Sequence, residues 1–92
     1  IRGRVAASAG RLGEVGATRV EPGHAGADVE DLIAAGGPGL GLWVDPRHYF
    51  DLHHTPADTL DKVDPRQLAG NVAAIAVLAY VVAELPGRLD DP

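Results

Sequence analysis

The strongest pattern in the chain lies near its C-terminal end, where apolar residues continue from Leu68 through Val82 with little interruption. Asp64 precedes Pro65, the order of an N-cap followed by proline at the first helical position, and Pro86-Gly87 ends the run. Together these predict a long helix over residues 65–85. Leu68, Val72, Ile75 and Val82 fall on one side of it; Val77, Leu78 and Val81 fall on others. A helix that is apolar on every side needs cover on most of them.

The upstream pattern is weaker. Val5 to Val15 reads as a short helix with Val5, Leu12 and Val15 roughly on one face, weakened by Gly10 and Gly13 and stopped by Gly16. Ala17 to Val20 reads as a short strand, and Glu21 to Gly26 as a turn. Asp28 reads as an N-cap, with Asp31 three residues on. It opens a helix over Val29 to Ala35 that Gly36 and Gly37 close. Leu40 to Val44 alternates with glycine and reads as a buried strand, followed by a polar, irregular stretch from Asp45 to Pro56. Two short helices and two short strands cannot cover the last helix. The chain therefore reads as an excerpt of a larger α/β domain whose partner layers lie outside it.

Composition narrows the possible functions. The net charge is -5 and no basic stripe is present, which argues against a nucleic-acid partner. There is no cysteine, so any metal must be held by histidine and carboxylate. The unbroken apolar run Val72 to Val82 falls short of the roughly 18 residues of a membrane span, so none is expected. Gly36 to Gly41 (GGPGLG) lacks the Lys-Ser/Thr of a phosphate loop and follows a helix rather than a strand. Ser8 is the lone serine, which leaves no serine nucleophile to consider, and no paired-Glu general base is visible.

Histidine is the remaining chemistry. His24, His48, His53 and His54 are present, and Asp45, Asp51, Asp58, Asp61 and Asp64 cluster around the last three. In extended backbone the side chains of His53 and His54 point to opposite sides, so at most one of them ligates a given ion. Asp58 is a candidate to orient a ligating imidazole, or else a turn residue bonded to nearby backbone. Zinc needs three or four ligands, so on local features alone a solvated loop with two surface histidines stands beside the metal-site reading.

The longer strings GADVEDLIAAGGPGLGLWVD and RHYFDLHHTPADTLDKVDPRQLAGNVAAIAVLAYVVAELP change that balance. From about Gly16 to Pro86 the chain resembles the C-terminal part of the dizinc aminopeptidase family (clan MH). It is most similar to the branch containing plasma glutamate carboxypeptidase, also called carboxypeptidase Q. The specific core is YF-x-x-HHT-x-x-DT followed by D-P and an apolar helix. The resemblance implies an α/β fold: residues 1–92 would be the C-terminal piece of a mixed-sheet, helix-flanked zinc exopeptidase domain, and 65–85 its long apolar helix. It implies two zinc ions and a peptide substrate, with His54 as the last metal ligand. His53 matches a position not used as ligand, Asp28 a residue on the substrate side, and Tyr49 and Phe50 an aromatic pair near the site. The general-base Glu and the other ligands lie upstream in the family, and nothing in Ile1 to Gly26 matches them. The chain is therefore expected to be inactive without the missing N-terminal part of the same domain. A secreted or periplasmic location is implied by the branch. The alternative is a non-catalytic member of the fold that serves as an interaction domain.

Overall fold

The computed structural model describes residues 2–91. Among the described residues four α-helices form: α1 (Arg2–Ala9), α2 (Glu30–Ala34), α3 (Tyr49–Leu52) and α4 (Pro65–Glu84). Short 3-10 turns accompany them at Gly10–Val15, Ala27–Val29 and Leu60–Lys62.

α4 starts where the sequence sets its cap. The Asp64 carboxylate accepts from the backbone N–H of Arg66 at 2.9 Å and of Gln67 at 3.4 Å, supplying partners for donors that a helix start leaves free. The helix ends at Glu84 because Pro86 drives Leu85 into extended backbone (φ -65°, ψ 138°). One stripe of α4, centred on Ala74, packs against α1 and the Gly10–Val15 turn. The core there is Val5, Ala9, Leu12 and Ala74, all buried. Ser8 is buried among them and satisfies its hydroxyl by donating to the Arg4 carbonyl at 2.9 Å.

The first helix does not run unbroken to Val15. At Gly10 it tightens into a 3-10 turn, and Leu12 leaves helical geometry (φ -97°, ψ 19°) to reach the core. Gly16 then caps it in the left-handed conformation (φ 72°), as its position after the pattern predicts. The Val15 side chain lies outside the described residues, so its expected place on the core face is not described.

The expected mixed sheet is absent: among the described residues there is no strand. Ala17 to Val20 and Leu40 to Val44 are both irregular. A strand exists only when its backbone groups find a neighbouring ladder, and neither segment has one here. Leu40 to Val44 is also exposed rather than buried, Trp43 at 84%. Asp28 is not an N-cap. The chain enters α2 through the Ala27–Val29 turn, Gly26 occupies the cap position, and no side chain closes it. The Gly-rich stretch serves close approach, since a Cβ on Gly41 would fall 2.5 Å from the His24 carbonyl oxygen.

Cover is thin overall. The radius of gyration is 14.9 Å, against about 12 Å for a compact domain of this length. Val72, Ile75 and Tyr80 on α4 are 59%, 54% and 69% exposed. α4 is also long and apolar enough to cross a membrane and is mostly exposed, so the expectation of no membrane span is not supported by this helix. One side chain ties the two ends of the described chain: the Arg4 guanidinium donates to the carbonyls of Pro86 and Arg88, both at 2.6 Å.

Candidate functional site

The histidine loop is built from the single turn α3, where an irregular stretch was expected. Pro46 starts it, its carbonyl accepting from the Tyr49 N–H at 3.0 Å. Just before it, the Asp45 carboxylate grips Arg47 through both the backbone N–H (3.0 Å) and the guanidinium Nε (2.6 Å). That side-chain hydrogen bond holds the Asp45 carboxyl below the usual carboxylate range and the Arg47 guanidinium above its own. His48 Nδ1 lies 3.3 Å from Asp51, both exposed.

Tyr49 and His53 are four residues apart on this turn, so their rings meet on one face. The ring centroids are 4.4 Å apart with 22° between planes, and Tyr49 Oη lies 3.4 Å from His53 Nε2. His54 then adopts φ 56°, the one positive φ at a non-glycine residue among the described residues. This turn lays the His54 ring on His53, with centroids 3.9 Å apart and planes 20° from parallel. The two rings therefore do not point to opposite sides. That expectation assumed extended backbone, and the left-handed turn replaces it.

Thr55 closes the loop. Its N–H and its hydroxyl both donate to the Leu52 carbonyl, at 3.0 and 2.7 Å. Asp58 follows in a turn, its N–H donating to the Thr55 carbonyl at 3.1 Å. Among the described residues its exposed carboxylate bonds neither a histidine nor a nearby backbone N–H. Asp61 accepts from the Thr59 hydroxyl and from Lys62, first the hydroxyl and then the ammonium lowering its carboxyl below the usual range.

Asp28 sits apart from this loop, exposed on the Ala27–Val29 turn. Among the described residues no three His, Cys, Asp or Glu side chains converge on a point that could hold a metal. His54 is one imidazole, short of the three or four donors that zinc requires. The donor set of this chain does not fit a complete zinc site by itself.

The chain is 40% identical over 72 residues to carboxypeptidase Q of Mus musculus, 38% over 78 residues to that of Bos taurus and 41% over 64 residues to that of Homo sapiens. These matches cover 78%, 85% and 70% of the chain. Over this matched length the chain is similar to carboxypeptidase Q. That protein is a peptidase by its name. The chain spans only 15%, 16% and 14% of those three relatives. No family model and no solved structure matches it.

Any unbroken span of 64 residues in a chain of 92 contains residues 29–64. The segment from His53 to Asp64 therefore lies inside each of the carboxypeptidase Q matches. The structure brings together three of the residues that the pattern singles out, Tyr49, His53 and His54, and leaves Asp58 and Asp28 apart. The ring stack was not foreseen. The i, i+4 spacing of Tyr49 and His53 is the sequence signal for the first of the two contacts, and it counts only where the segment is helical.

Proposed function

We propose that this chain supplies part of a zinc-dependent exopeptidase domain of aminopeptidase or dipeptidase type, with His54 its contribution to a two-zinc centre. The observation that carries the reading is His54 itself. It holds a left-handed backbone that costs a non-glycine residue about 1–3 kcal/mol, and it lies inside the carboxypeptidase Q match. Strain kept at an exposed loop residue supports a task for its side chain. In the intact domain the two ions would activate a water that hydrolyses a terminal peptide bond of a peptide substrate. The remaining ligands and the general-base Glu belong to the part of the domain that precedes this segment. The chain alone is inactive in this reading, because one imidazole does not hold a catalytic ion.

The test is His54→Ala in the full-length protein. Peptidase activity should fall to background and bound zinc should drop. Activity near that of wild type with full metal content would overturn the assignment.

A further inference from the structure

We propose that His53 is a positioning residue that fixes the ring of His54, and that Tyr49 fixes His53 in turn. The three rings form one column, Tyr49 on His53 at 4.4 Å and His53 on His54 at 3.9 Å, with planes within 22° and 20° of parallel. Phe50 stands edge-on at 90° to Tyr49 and 89° to His53, closing one side of the column. The column rests on backbone, since the His53 N–H donates to the Tyr49 carbonyl at 2.8 Å.

The two histidines are not equivalent in this arrangement. His53 has a ring nitrogen engaged by the Tyr49 hydroxyl at 3.4 Å. His54 has neither ring nitrogen hydrogen-bonded among the described residues. Stacking holds a ring by its face and leaves its edges free, and the nitrogens are on the edge. An exposed histidine without such a support exchanges among its staggered rotamers. The column confines His54 while keeping both of its nitrogens available. The geometry stands by itself; its use for holding His54 toward a reacting centre rests on the function proposed above.

Histidine-selective isotope labelling of the full-length protein tests this by NMR, with His54 assigned by its absence in the His54→Ala variant. In wild type the His54 ring protons should be displaced upfield by the stacked ring. His53→Ala should abolish that displacement, and His53→Phe, which can still stack, should retain it. In peptidase assays His53→Ala should lower kcat with KM little changed, and His53→Phe should restore most of the loss. A His54 spectrum unaltered by His53→Ala would overturn the proposal, as would a Phe variant no better than the Ala variant. The two readings fail separately. An unaltered His54 spectrum sinks the column and leaves His54 as ligand, whereas full activity and zinc in His54→Ala sinks the ligand and leaves the column.

Discussion

At the scale of residues, His54 inverts an ordinary rule. Alanine normally outranks glycine for stability, but at φ 56° the Cβ is the source of strain. His54→Ala keeps that strain and loses the stack on His53, worth about 0.5–1.5 kcal/mol. His54→Gly loses the same stack and removes the strain. The glycine variant should therefore be the more stable of the two by roughly 1 kcal/mol. Amide exchange at Thr55, whose N–H closes the loop on Leu52, reads the difference, and faster exchange in the glycine variant would refute it. Asp45 gives a second residue-level expectation. Its carboxyl is lowered chiefly by the Arg47 side-chain hydrogen bond, so any stability it lends is present at and above the ordinary carboxylate range. That contribution is lost as pH falls through the depressed value. Carboxyl titration by NMR should place Asp45 below a free aspartate, and Arg47→Ala should raise it toward the usual range, the backbone N–H of residue 47 still holding it down in part.

At the scale of elements, helix starts and stops were the most legible. Asp64-Pro65 and Pro86 bound α4 within a residue of where the sequence puts them, because caps and prolines act through local backbone geometry. Asp64→Ala should cost about 1 kcal/mol, with Asp64→Asn close to neutral, in helicity and unfolding measurements. An unchanged Ala variant would mean that the hydrogen bonds to Arg66 and Gln67 carry no net weight. Asp28 shows the limit of the same logic. It has the residue type of a cap, but the Ala27–Val29 turn starts one residue before it and takes that place. Leu40 to Val44 has strand composition and no strand, because a ladder depends on a neighbour that composition cannot supply. At the candidate site the residue string is legible in the sequence and its arrangement is not. The pattern YF-x-x-HHT-x-x-DT points to His54, while the stacking of His53 on His54 follows from one dihedral angle that no residue type announces.

At the scale of the whole molecule, burial is concentrated where α1, the Gly10–Val15 turn and α4 meet. The opposite face of α4 presents Leu68, Val72 and Ile75 to solvent, the liability predicted for a helix apolar all round. The 92-residue chain alone should melt over a broad range and self-associate. Replacing Val72 with Glu and Ile75 with Lys should suppress self-association and shift stability by no more than about 0.5 kcal/mol, since neither side chain is in the core. Sedimentation and calorimetry check both statements. A sharp, concentration-independent transition from a monomeric wild-type chain would contradict them.

The Arg4 clasp has a further consequence. With its guanidinium on the carbonyls of Pro86 and Arg88, Arg4 joins α1 to the turn that follows α4. The two bonds close loops with sequence separations of 82 and 84, so this one guanidinium limits how far α1 and the tail of α4 can drift apart when the packing between them loosens.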